Sequence, residues 1–211
     1  MNIDSPKRGY RQSARALAAE ATAERIVDAF EAQMQQRWFD EIRLDDIARA
    51  ADVTTQTVIR RFGSKEGLLE GLQQRISKVV GVRRDVPEGA VDAAVASLIE
   101  DYEEHGDIVM RVLAQEDRFT ACRTVTDVGR REHRKWIAKA FAPWLSPMAP
   151  SARQQAEDAL VVAGDLYVWK LVRRDMQRPI SEYRDIMETM LAAAVGAARA
   201  DLFGKAEGEM G

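Results

Sequence analysis

Among 211 residues there is one cysteine, Cys122, and there are two histidines, His105 and His133. A single thiol excludes an intramolecular disulfide and suits a reducing compartment. The histidines show no ligand spacing, so no metal site is expected. No apolar run reaches the roughly 18 residues of a membrane span, so no membrane partner is expected. The first residues are polar and charged, without the apolar stretch of a secretory signal, and the expected location is the cytoplasm. Paired carboxylates, a nucleophile with its base and a glycine-rich phosphate loop are also missing. Catalysis and a cofactor are therefore not expected.

What is present favours helices. Hydrophobic residues make up 46% of the chain, enough for a sizeable core, and alanine, a strong helix former, is frequent. The net charge of −3 and a pI near 5.6 argue weakly against a nucleic-acid partner. Distribution matters more. Lys7, Arg8, Arg11 and Arg15 face only Asp4 in the first fifteen residues. An acidic stretch follows over 20–52, and then a basic one over 54–84 carrying Arg60, Arg61, Lys65, Arg75, Lys78, Arg83 and Arg84.

The expected fold is all-α, with an N-terminal three-helix domain built on a helix-turn-helix and a C-terminal helical bundle for regulation and dimerisation. Residues 1–15 read as a basic arm, either a simple tail or a contact to phosphates or the minor groove. Residues 16–81 read as the first domain and 82–211 as the second, joined at 79–89. Apolar steps at Ile26, Phe30, Met34 and Trp38 predict a helix over 16–37. Two short helices follow, at 44–51 and 55–61, and Ser64 caps a fourth. Further helices are expected at 90–105, 107–115, 123–142, 151–175 (opened by Ser151 and Gln154) and from Ser181 to about 203.

The two short helices carry the functional signal. Only Asp52, Val53 and Thr54 separate them. Asp52 suits a left-handed turn, Thr54 suits an N-cap, and Val53 with Val58 fits a hydrophobic staple. A reading helix in the major groove needs an outward face of hydrogen-bonding side chains. Thr55, Gln56, Thr57, Arg60 and Arg61 supply one. Lys65 is placed to reach the DNA backbone, and Ser64 opens a helix whose N-terminus suits a phosphate.

The run LDDIARAADVTTQTVIRRFGSKEGLLEGL, Leu44 to Leu72, carries a specific resemblance. With its Ile-Ala pair at 47–48, Thr-Val-x-Arg at 57–60, Phe62 and Ser-Lys-Glu at 64–66, the segment 24–72 resembles the DNA-binding domain of the TetR (tetracycline repressor) family. The resemblance implies a bacterial regulator, expected to be a repressor, that binds double-stranded DNA at a palindromic operator and is controlled by a small effector. The alternative is an effector-independent DNA-binding or architectural protein of the same fold. Three positions depart from the family pattern. Ile59 replaces a phosphate-binding tyrosine and is left to touch a thymine methyl or a sugar. Asp52 replaces the turn glycine. Arg43 stands where a serine or threonine is usual, with a guanidinium that can hold the same phosphate.

For the second domain, Tyr102, His105, Met110, Phe119, His133, Trp136 and Trp169 are candidates to line an effector pocket, each with core packing as its plainer reading. Cys122 reads as an inert small residue, with a redox role as the alternative. Asp165, amid apolar neighbours, must be paired, solvated or at an interface. The last two helices read as a homodimer interface. One would present Leu160, Gly164, Tyr167, Val168 and Leu171. The other would present Met187, Met190, Leu191, Ala194, Val195 and Ala198. Burial within one subunit is the alternative.

Overall fold

The computed structural model describes residues 6–197 and 199–203, and among these every regular element is helical. The chain divides into two compact units, Met1–Arg75 with Ala114–Val125, and Ile76–Leu113 with Thr126–Gly211. The expected domain boundary near residue 81 therefore moves to residue 75, and a second segment, 114–125, joins the N-terminal unit.

In the first unit, α1 spans Pro6–Met34. It starts earlier than the expected residue 16, because proline suits a first helical position and the alanine-rich sequence after it contains few breakers. The expected arm is therefore helical from Pro6 onward, and Met1–Ser5 lie outside the described residues. A 3-10 turn, Phe39–Glu41, leads into α2 (Leu44–Ala50) and α3 (Thr55–Phe62). Helix α4 is Lys65–Arg83, so the expected junction at 79–89 is helical over its first half. α1 packs on α2 and α2 on α3. Ile26, Phe30, Met34, Phe39, Ile42, Ile47, Val58, Leu68 and Leu72 are all buried. Acids of α1 bind arginines further along: Arg75 pairs with Asp28 and Glu31, and Arg61 with Glu20 at 2.7 Å. The acidic stretch thus partly neutralises the basic one within the unit.

In the second unit, α5 is one helix, Val91–Leu113, rather than two. Gly106 does not break it, because its missing side chain admits Trp169: a Cβ there would stand 2.5 Å from Cη2 of that indole. Helices α6 (Thr120–Ala140) and α7 (Ala142–Leu145) follow. The expected helix over 151–175 is interrupted. α8 (Pro150–Ala163) ends at Gly164, α9 (Leu166–Trp169) is four residues long, and Lys170–Asp175 is π-helical. Ser151 caps nothing, since Ala149 precedes Pro150 as the N-cap. Asp165 resolves as the N-cap of α9, accepting the Tyr167 amide at 2.8 Å. The expected last helix divides into α10 (Ile180–Ala194) and α11 (Arg199–Phe203), with Gly196 at φ 67° between them. Trp169, Tyr183, Phe141, Leu98, Leu160, Met187 and Leu191 form one core.

Candidate nucleic-acid interface

The turn between α2 and α3 is held by local chemistry. Asp52 adopts φ 54°, and the Val53 amide donates to the Ala48 carbonyl at 3.0 Å. Thr54 caps α3 by accepting the Thr57 amide at 3.2 Å. At the other end Gly63 takes φ 76°, a conformation that costs a glycine little, and its amide closes on the Ile59 carbonyl at 2.8 Å. Val58 is buried, anchoring α3 to the unit's core. The opposite face is thereby turned outward, at a fixed angle.

The residues of that face have different duties. Gln56 and Arg60 are exposed and make no hydrogen bond or ion pair with any described residue. Ile59 is 41% exposed, unusual for a large apolar side chain. Thr55 donates its hydroxyl to Asp45 at 2.6 Å, and the Thr54 and Thr57 hydroxyls lie 2.9 Å apart. Arg61 is held by Glu20, as above. Arg43 is exposed and precedes α2 without a side-chain cap, consistent with a free guanidinium. Ser64 accepts the Gly67 amide at 3.4 Å and also bonds Glu66, whose carboxyl it holds below the usual range. It is a cap first.

Lys65 is a correction. Expected on the DNA backbone, it turns inward. Its Nζ donates to the Phe39 carbonyl at 2.7 Å and the Ile42 carbonyl at 3.1 Å, and lies 4.5 Å from the centroid of the Phe39 ring. Burial lowers its pKa, the expected effect of desolvating an ammonium. With a third, longer contact to the Asp40 carbonyl at 3.5 Å, the amine ties α4 to the turn after α1.

Phe119 is a second correction. It belongs to the N-terminal unit, edge-on to Phe39 at a centroid distance of 5.4 Å, and not to a pocket among the bundle helices. Beside it Gln115 donates to Asp40 at 2.6 Å and Arg118 pairs with Asp40 at 3.0 Å. Those two bonds hold the Asp40 carboxyl below its ordinary range, the glutamine's contribution being the larger. Sequence reading missed this dock, because its partners lie some 75 residues apart. Cys122, fully buried in the same unit, has its thiol pushed up to about 11 by burial. A thiol that stays protonated is a poor redox sensor.

The other pocket candidates lie in the C-terminal unit. Trp169 is fully buried and its indole N–H donates to Glu103 at 2.7 Å. The Tyr102 hydroxyl donates to the Gly164 carbonyl at 2.9 Å. Arg84, bound to the buried Asp101, lies over both the Tyr102 and Trp136 rings. His133 stacks on Trp136, and burial, with Arg84 nearby, lowers its pKa to about 4. His105 is buried and Met110 half-buried in α5. Tyr102 also lies against Trp169, with ring centroids 6.2 Å apart. Trp136 Nε1 and the Tyr183 hydroxyl are buried with no hydrogen-bond partner among the described residues.

Of the dimer candidates, Leu160, Met187 and Leu191 are fully buried in a single chain's core, and Gly164 is buried too, which removes them from the surface. Val168, Met190, Ala194 and Val195 are partly buried against that core. Tyr167 and Leu171 are exposed at 55% and 52%, and Val162, Met176 and Ile180 are exposed near them in sequence. Ala198 lies outside the described residues.

Residues 26–72 match the bacterial regulatory proteins of the tetR family. The chain is 30% identical over 93 residues to the HTH-type transcriptional regulator AlkX of Mycobacterium tuberculosis; the match covers 44% of this chain and 41% of that protein. In structure it is similar to a putative transcriptional regulator from Pseudomonas aeruginosa PAO1, with a TM-score of 0.64 and 14% identity over 85% of this chain and 93% of that one. At that identity the likeness speaks for the fold alone.

Proposed function

We propose that this chain, which belongs to the tetR family of bacterial regulatory proteins through residues 26–72, is a sequence-specific DNA-binding repressor acting as a homodimer under the control of a small molecule. One observation carries the reading. The outward face of α3 presents Gln56 and Arg60 unpaired with any described residue, on a helix pinned at both ends. Glutamine is suited to adenine and arginine to guanine, and both reach from a helix lying in the major groove.

The dimer is supported by the exposed apolar residues between Val162 and Ile180. Two reading helices related by a dyad would meet successive major-groove turns, about 34 Å apart. A small-molecule site in the C-terminal unit is supported by the buried, unsatisfied Trp136 indole and Tyr183 hydroxyl, since such groups ordinarily find a partner. Effector binding would then favour a spacing of the reading helices that fits DNA poorly.

The test is selection of bound duplexes from a random-sequence library by the full-length chain, then a screen of compounds for release. Enrichment of one palindrome supports the reading. Recovery of no preferred sequence overturns it, and release by no compound removes the effector while leaving the DNA function standing.

A further inference from the structure

Ile59 is the feature of the reading helix that hydrogen bonding does not account for. At 100° per residue it lies about 60° from Gln56 around α3, on the flank shared with Thr55. The Thr55 hydroxyl on that flank is spent on Asp45. An exposed β-branched residue contributes less to a helix than a straight-chain one would. At 41% exposed, Ile59 leaves a large part of its apolar surface uncovered by its own chain. Its side chain can neither hold a phosphate nor bond a base edge. Only one apolar group is displayed in the major groove, the C5 methyl of thymine.

We propose that Ile59 is a specificity-determining residue that selects a 5-methyl pyrimidine, thymine in ordinary DNA, beside the base pairs reached by Gln56 and Arg60. This rests on α3 being the reading helix, as proposed above. The three side chains then divide the work. Gln56 and Arg60 read hydrogen-bonding edges, while Ile59 excludes water from a methyl and disfavours cytosine, which carries only a hydrogen at C5 beside its polar C4 amine.

The test uses the full-length chain and the duplex recovered from the random library, with each thymine in turn replaced by deoxyuridine. That change removes one methyl and keeps every base pair. One thymine, with its symmetry mate, should weaken binding on methyl removal by about four-fold per half-site, the worth of one buried methyl. Ile59→Val should keep this dependence, and Ile59→Ala should abolish it while leaving the response at the other thymines unchanged. A flat deoxyuridine profile overturns the inference, as does a profile identical in Ile59→Ala; Ile59 would then touch only sugar. In both cases the selected duplex still shows sequence-specific binding. Failure to select any duplex is a different outcome, which takes down the DNA reading and the inference with it.

Discussion

Replacing Lys65 with methionine separates two readings of a single amine. Its ammonium bonds the Phe39 and Ile42 carbonyls and lies over the Phe39 ring. Charge-assisted hydrogen bonds contribute about 1.5–3 kcal/mol each and an aromatic contact of this kind about 0.5–1 kcal/mol. Against that stands the cost of partly desolvating the ammonium, visible in its lowered pKa. Methionine keeps the packing of the aliphatic stem but leaves two carbonyls without their donor. The net expectation is a loss of about 2–3 kcal/mol from the N-terminal unit. Urea unfolding followed by tryptophan fluorescence measures it, since Trp38 lies in that unit. The slope of log affinity against log salt on a bound duplex should stay the same, because no phosphate contact is lost. Unchanged stability together with a slope smaller by about 0.9 would refute the clamp and return Lys65 to the DNA backbone.

Three further outcomes are expected. His133 is held neutral in the fold with a pKa of about 4, below the 6.5 of an exposed histidine. The unfolded chain therefore binds the proton first, and stability falls as pH drops from about 6.5 towards 4, by roughly 2–3 kcal/mol. A His133→Gln variant should lose that part of the acid sensitivity, and parallel pH-dependent urea titrations check it. Gly106→Ala would drive a Cβ into the Trp169 ring. The C-terminal unit should lose about 1–3 kcal/mol in a thermal melt, and a melt like that of the parent would contradict the close approach. Leu171→Glu, at an exposed apolar position, should give monomers in sedimentation equilibrium and weaken binding to a palindrome far more than to a half-site. A variant that remains dimeric would move the interface elsewhere.

The parts of the molecule visible in its sequence were those built by neighbours in the chain. Asp52, Thr54 and Gly63 set the turn and both ends of α3 by their own backbone and side-chain preferences, so α3 could be bounded to within a residue. Lys65 could not be placed, because the carbonyls it binds lie 23 and 26 residues away. The Asp40 dock with Gln115 and Arg118 was invisible for the same reason. Glycine misled in both directions. Gly106 is tolerated inside α5 because a tryptophan fills its place, whereas Gly164 and Gly196 end helices that the apolar period carries straight through. From α8 to α10 an apolar stripe looks alike whether it meets its own chain or a second copy. Only burial distinguishes Leu160 and Leu191, inside, from Tyr167 and Leu171, outside.

The central claim, that the outward face of α3 reads bases, is tested most directly by repeating the duplex selection with Gln56→Ala and with Arg60→Ala. Each variant should lose preference at its own base pair of the half-site, with discrimination there reduced by about 1–3 kcal/mol and the rest of the sequence preference kept. Recovery of the parent's full sequence preference, at the parent's affinity, by both variants would contradict the claim.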